Sequence, residues 1–269
     1  MNIDIKKMIE DKSPGFFRVM PGFLSSLLIK TLERVNHIED IRGFFQQNED
    51  KQNLQFIEAV FEFLDFQYKV SDEDIARIPA SGRLICVANH RLGVLDGLSL
   101  LKIIGSVRKD VKIVVNDILI PLDNMKDLFL FYDLYSSVAR RDNIQKIKTA
   151  LIEENAVIFF PSASVAKMSL RGIREGTWFN GPVFFAHKYG VPILPVNING
   201  RNSAMYYLVS LLSHELSSLF LPQAMFSLRS CSVDVKIGPL LTKEMFGNRG
   251  AGIADRTALL REHVLSLGG

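Results

Sequence analysis

From about residue 79 the chain alternates short apolar runs with longer stretches of helical periodicity, a rhythm that belongs to an α/β fold. The strand-like runs are 83–88, 111–115 (Val111-Lys112-Ile113-Val114-Val115), 156–160, 192–198 and 233–237. Between and after them, residues 96–105, 123–134, 143–154, 178–189, 203–220 and 252–266 read as helices. The expected fold is a largely parallel central sheet flanked by helices. Ligands of such sheets gather at the carboxyl ends of the strands. His90, Asn116, Pro161 and Asn199 each follow one such end.

The turn Pro79-Ala80-Ser81-Gly82 separates this α/β domain, residues 79–269, from an N-terminal helical region, residues 1–78. In the latter, Leu24, Leu27, Leu28, Leu32 and Val35 recur at three- and four-residue steps with Lys30, Glu33 and Arg34 between them, and Phe56, Val60, Phe61 and Leu64 repeat the pattern. Two readings fit: amphipathic helices packed on the core, or a membrane-lying surface. The second draws on Phe16-Phe17-Arg18-Val19-Met20 and Phe23-Leu24, where large apolar groups stand beside a cation.

Charge and hydropathy narrow the partners. A net charge of +3 is too small an excess to argue for nucleic acid but suits an anionic membrane surface. Hydrophobic residues reach 48% with a mean hydropathy of +0.15, yet 15–35 and 203–228 are each interrupted by charged or polar residues, so neither reads as a membrane span. The first twelve residues carry acidic groups and no apolar core, unlike a signal peptide. The expectation is a cytoplasmic protein, peripheral on the inner face of the cell membrane. Cys86 and Cys231 both fall in strand-like segments and read as reduced thiols, and no residue cluster spells a metal site.

The candidate chemistry lies in Asn89-His90-Arg91-Leu92-Gly93-Val94-Leu95-Asp96-Gly97, directly after the apolar run Leu84–Ala88. A histidine at a strand end is a useful base near neutral pH, and a carboxylate on its far ring nitrogen fixes the tautomer and steadies the imidazolium. On these residues alone, a hydrogen-bonded turn with a helix cap is the plainer alternative.

Asn89-His90 after a buried strand, an acidic residue just beyond, Phe160-Pro161 ending a later strand, and Val191-Pro192-Ile193-Leu194-Pro195-Val196 resemble, in order and rough spacing, the motif blocks of the glycerolipid (lysophospholipid) acyltransferase superfamily. Members of that superfamily carry a His-x4-Asp motif, a Phe-Pro-Glu-Gly-Thr block and a Val-Pro-(Ile/Val)-x-Pro-Val block. The resemblance covers roughly residues 15–240. It is nearest to the bacterial hemolysin-like branch, which includes the O-acyltransferase part of ornithine-lipid synthesis and favours a loop glycine and an extra residue before the acid. Here Gly93 and Asp96 match, with five residues between His90 and Asp96. A bulge at Gly93, the residue best able to take positive φ, would keep the pair together.

The chain departs from the pattern elsewhere. Phe160-Pro161 runs on into Ser162-Ala163-Ser164, without Gly and Glu in register. Glu175-Gly176-Thr177 resembles the missing triplet but lies more than ten residues downstream with no Phe-Pro before it, and reads as a coincidental turn. The second block survives only as Tyr135-Ser136-Ser137-Val138-Ala139-Arg140-Arg141.

What the resemblance implies is transfer of a fatty acyl group from acyl-CoA or acyl-carrier protein to the hydroxyl of a lysophospholipid, lysophosphatidate or lyso-ornithine lipid, with no cofactor beyond the thioester co-substrate. His90 would be the general base and Asp96 its orienting acid, as in hydrolase triads, except that the substrate supplies the nucleophile. No acyl-enzyme is needed, so Ser99, Ser162 and Ser164 have no call to be nucleophiles, and no Gly-x-Ser-x-Gly elbow exists. An anionic head group would meet some of Arg91, Arg140, Arg141, Lys167, Arg171, Arg174 and Arg201. Gly93 and Pro161 complete the expected substrate-binding set. Two alternatives remain: a homologue that binds lipid or acyl-carrier protein without turnover, and, with less behind it, a hydrolase.

Overall fold

Alternate residues of the runs 84–88 and 156–159 serve two different cores, which is why these two runs contain no charged residue. Leu84, Cys86 and Ala88 join one buried cluster and Ile85 and Val87 the other; Ala156 and Ile158 likewise oppose Val157 and Phe159. A strand whose side chains alternate between two covered faces has no solvent side to mark with charge.

The computed structural model describes residues 5–116, 122–132, 137–170, 172–213, 216–242 and 252–269, with only the backbone of residues 11, 12, 19 and 137–141. Four helices lead: α1 (Ile5–Lys12), α2 (Gly22–Val35), α3 (Ile38–Gln47) and α4 (Asn53–Leu64). Then come β1 (Gln67–Lys69), a short α5 (Asp72–Ile75), β2 (Leu84–Ala88), α6 (Val94–Val107), β3 (Val111–Val115) and β4 (Phe129–Phe131). The chain continues through α7 (Ser137–Ile152), β5 (Ala156–Phe159), the hairpin strands β6 (Lys167–Ser169) and β7 (Gly172–Arg174), and α8 (Gly181–Tyr189). It ends with β8 (Ile193–Asn199), α9 (Ala204–Leu212), α10 (Leu221–Phe226), β9 (Ser232–Ile237) and α11 (Ile253–Ser266). Among the described residues no helix is long and apolar enough to cross a membrane.

Seven strands form one sheet in the order β1-β9-β8-β2-β5-β3-β4. All neighbours are parallel except β8 and β9. The expected α/β architecture is therefore the observed one. Helices α4 and α6 cover one face together with residues of α1 and α3, while α7, α8 and α11 cover the other. Because β2 runs parallel to both β5 and β8, its carboxyl end, theirs, and the loops that follow all open on the same edge.

Three local expectations change. Residues 123–128 form a 3₁₀ turn and Phe129–Phe131 a strand on β3, where 123–134 reads as a helix. The aromatic run suits a pleated sheet edge better than a helix; residues 133–134 lie outside the described residues. The stretch 203–220 is not one helix either. It stops at Leu212, where Ser213 turns extended and its Oγ accepts a hydrogen bond from Leu216 N at 3.2 Å, starting a separate 3₁₀ turn. Finally, Gln67–Lys69, inside the segment read as helical, pairs with β9 at the sheet margin. The N-terminal helices differ in how they are used. Helix α4 buries Phe56, Ile57, Val60, Phe61 and Leu64, while α2 buries no residue at all.

Candidate active site

Strand β2 ends at Ala88, two residues before His90, and Asn89 locks that end in place. Its buried side chain donates from Nδ2 to Ile198 O at 3.0 Å and accepts at Oδ1 from Ile198 N at 2.7 Å, so β2 and β8 are clamped where their ladder stops. Beyond it the chain turns at Gly93, which adopts φ 72° and ψ −125°, a region closed to residues with a side chain. A Cβ there would also crowd Leu221 at 3.3 Å. This turn absorbs the additional residue between histidine and acid. Helix α6 starts immediately afterwards, with Asp96 in its first turn.

Asp96 is fully buried, and its Oδ2 accepts three hydrogen bonds: from Leu92 N at 2.7 Å, from Gly93 N at 3.1 Å, and from the His90 Nδ1 at 2.8 Å. Asp96 is thus both helix cap and histidine partner, combining the two readings the sequence left open. A carboxylate oxygen can only accept, so Nδ1 carries the hydrogen and the neutral ring leaves Nε2 as its basic nitrogen. Nε2 has no hydrogen-bond partner among the described residues. The ring stacks on Phe160, centroids 4.4 Å apart at 24°, and its side chain stays 17% exposed.

The split third block closes around this pair. After Phe160-Pro161 the chain turns through Ala163, whose φ of 50° is the left-handed conformation a glycine would supply. Ala163 N donates to Phe160 O at 3.0 Å, and Ser162 Oγ donates to Ser164 O at 2.9 Å. Ala166 N then donates to His90 O at 2.8 Å. Since Ala163 is exposed, Ala163→Gly loses no packing and should relieve the strain, raising stability by about 1 kcal/mol. A thermal melt should rise by about 2 °C for a chain of this size; an unchanged or lower midpoint contradicts that account of the turn.

Glu175 departs from the expectation for its triplet. The hairpin β6–β7 carries the chain out and back, so that Glu175-Gly176-Thr177 returns beside the Phe-Pro turn. Gly176 approaches so closely that a Cβ would lie 3.2 Å from Ser164 Oγ. Glu175 Oε1 accepts a short bond from His90 N at 2.5 Å, and Oε2 accepts from Trp178 Nε1 at 2.8 Å. The triplet is not a coincidental turn. Its carboxylate belongs to the histidine loop, separated in sequence from the Phe-Pro by the inserted hairpin. The sequence signal is Gly172 between two short segments that alternate polar and apolar residues, the pattern of a hairpin that can close such a gap.

The proposed head-group residues divide. Arg91 leaves the loop next to His90; its backbone O accepts from Asn202 Nδ2 at 2.6 Å, and its buried Nε has no partner among the described residues. Arg201 is exposed on the loop after β8. Both lie close enough to Tyr207 to act on its hydroxyl, which accepts from Asn202 N at 3.0 Å. Burial raises the Tyr207 pKa, while the Asn202 N–H, Arg91 and Arg201 oppose the rise and Asp96 adds to it. Arg91, Arg201 and the His90–Asp96 pair therefore share one neighbourhood. Lys167 and Arg174 pair across the hairpin, Arg174 exposed, and Pro161 is buried, its O accepting from Phe179 N at 2.9 Å. Arg171 and the side chains of Arg140 and Arg141 lie outside the described residues. Cys86 and Cys231 are free thiols, Cys86 buried in β2 with its pKa pushed up by desolvation.

A family model described as acyltransferase matches residues 7–263. Two lyso-glycine lipid O-acyltransferases are similar along the chain. That of Bacteroides thetaiotaomicron is 26% identical over 251 residues, covering 91% of this chain and 90% of its own length. That of Phocaeicola vulgatus is 27% identical over 206 residues, covering 76% and 71%. Among solved structures, the 1-acyl-sn-glycerophosphate acyltransferase PlsC of Thermotoga maritima superposes with a TM-score of 0.48 at 20% identity, over 80% of this chain and 77% of that one. The chain belongs to the acyltransferase family and is an acyltransferase.

Proposed function

We propose that this enzyme moves a fatty acyl group from an acyl-CoA or acyl-carrier-protein thioester to the hydroxyl of a lysolipid with an anionic head group, His90 acting as general base and no acyl-enzyme forming. The observation that carries the reading is the His90–Asp96 bond at 2.8 Å with Nε2 left without a partner among the described residues. In this scheme Nε2 takes the proton as the acceptor oxygen attacks the thioester carbonyl. Asp96 stabilises the imidazolium so formed, and the departing thiolate takes the proton as the C–S bond breaks. Arg91 and Arg201 are the cations placed to hold the head group.

The acceptor we favour carries a carboxylate, as the names of the lyso-glycine lipid relatives suggest. Lysophosphatidate, lysophospholipid and lyso-ornithine lipid are the other acceptors to compare. Binding without turnover is the second reading, motivated by the missing Gly and Glu at 163–164. The positive φ of Ala163 and the carboxylate of Glu175 weigh against it, since each supplies an equivalent. We also propose that the protein lies on the membrane surface through its N-terminal helices, where α2 exposes Phe23, Leu24 and Leu27.

Purified protein should be incubated with labelled acyl-CoA or acyl-carrier protein and with lysolipids bearing either a carboxylate or a phosphate head group. Ester product, formed fastest on the carboxylate acceptor, is expected. Release of free fatty acid without ester would indicate a hydrolase. Donor and acceptor binding without any product would favour the non-catalytic reading.

A further inference from the structure

Helix α9, Ala204-Met205-Tyr206-Tyr207-Leu208-Val209-Ser210-Leu211-Leu212, contains no charged residue. Its inner face is fully employed: Tyr206 and Tyr207 pack with Val165 and Ala224, and Ser210 Oγ accepts from Met168 N at 3.0 Å, joining the helix to the hairpin. Its outer face is Met205, Leu208, Leu211 and Leu212, spaced at three and four residues, with Leu208 60% and Leu212 82% exposed. At the hairpin turn joined to it, Leu170 is fully exposed. A helix facing water carries charge, as α11 does with Asp255, Arg256, Arg261 and Glu262. An apolar outer face on a helix without charge needs a covering.

Its surroundings point to a bilayer. Exposed Arg201 precedes the helix and exposed Arg174 closes the hairpin, so the apolar face has cations at its margin, the pairing that suits an anionic lipid surface. The same helix puts Tyr207 into the site wall beside Arg91. The helix thus stands between the candidate head-group residues Arg91 and Arg201, which neighbour Tyr207 on its inner face, and the apolar face on its other side. A lysolipid could reach the former while its chain stays in the lipid that covers the latter.

We infer that the outer face of α9 and the tip of the β6–β7 hairpin form a membrane-seating surface for an anionic bilayer, additional to α2. This rests on the lysolipid reading above for its purpose, but its test does not need turnover. Co-sedimentation with vesicles of phosphatidylcholine and phosphatidylglycerol should be measured for the wild type, L208D/L212D, L170D and F23D/L27D. Removing two seated leucines should weaken vesicle binding by roughly 100-fold and L170D by roughly tenfold. All these side chains are exposed, so thermal midpoints should stay unchanged. Transfer to a short-chain acceptor below its micelle concentration should also be unchanged in L208D/L212D.

Wild-type affinity in L208D/L212D, with F23D/L27D alone losing the vesicles, would overturn the inference. So would a wild-type dimer that L208D/L212D converts to a monomer while vesicle binding persists, since the face would then be covered by a second copy. Vesicle binding that depends on Leu208 and Leu212 without any ester formation on any acceptor leaves the seating surface standing and removes the lysolipid reading instead.

Discussion

Replacing His90 with alanine is expected to lower ester formation by roughly 10²- to 10⁴-fold, the usual contribution of a positioned general base. The loop should survive the change. Asp96 would still accept from Leu92 N and Gly93 N, Glu175 would still accept from the backbone N of residue 90, and Asn89 would still clamp β2 to β8. The lost ring costs its stacking on Phe160 and one hydrogen bond to Asp96. A melt within a few degrees of wild type, together with unchanged binding of the lysolipid, would locate the defect in kcat. Equal acylation by the wild type and H90A, measured with labelled thioester and the same acceptor, would remove His90 from the mechanism.

The histidine and its acid are legible in the sequence because they are local. Five residues, a strand end and a glycine suffice to define them, and the structure places Asp96 where one turn at Gly93 must bring it. The sheet was legible for a related reason: β2, β5 and β8 are too apolar to be anything but covered on both faces. Glu175 was not legible by spacing. It reaches His90 N across 85 residues of chain, and the intervening hairpin displaces it from the Phe-Pro it serves. The positive φ of Ala163 was equally hidden, since nothing in an alanine announces that the backbone has kept a glycine's conformation. Phe129–Phe131 is ambiguous in the sequence because apolar residues in a short run satisfy helical and extended periods alike, and only the neighbouring β3 decides between them.

Asp96→Asn is the sharper test of how the pair works, because an asparagine can fill the same space. If its oxygen takes the place of Oδ2, it can still accept from Leu92 N, Gly93 N and His90 Nδ1, but the negative charge that steadies the imidazolium is gone. The amide nitrogen then falls where Oδ1 now lies, a buried site with no hydrogen-bond partner among the described residues, and its unsatisfied donors cost roughly 1–3 kcal/mol. If the amide turns round, Nδ2 faces the histidine and opposes Leu92 N and Gly93 N donor to donor. The ring must then accept at Nδ1 and hold its hydrogen on Nε2, where it can no longer take a proton from the acceptor hydroxyl. Both arrangements predict a lower melting midpoint, unlike H90A, and a kcat reduced by roughly 10²- to 10⁴-fold. Because the two side chains act as one unit, H90A/D96N should be little slower than H90A alone, far from the product of the two single losses. A D96N enzyme with wild-type kcat would confine Asp96 to capping α6, and a double variant slowed by the full product would show that the two residues act independently.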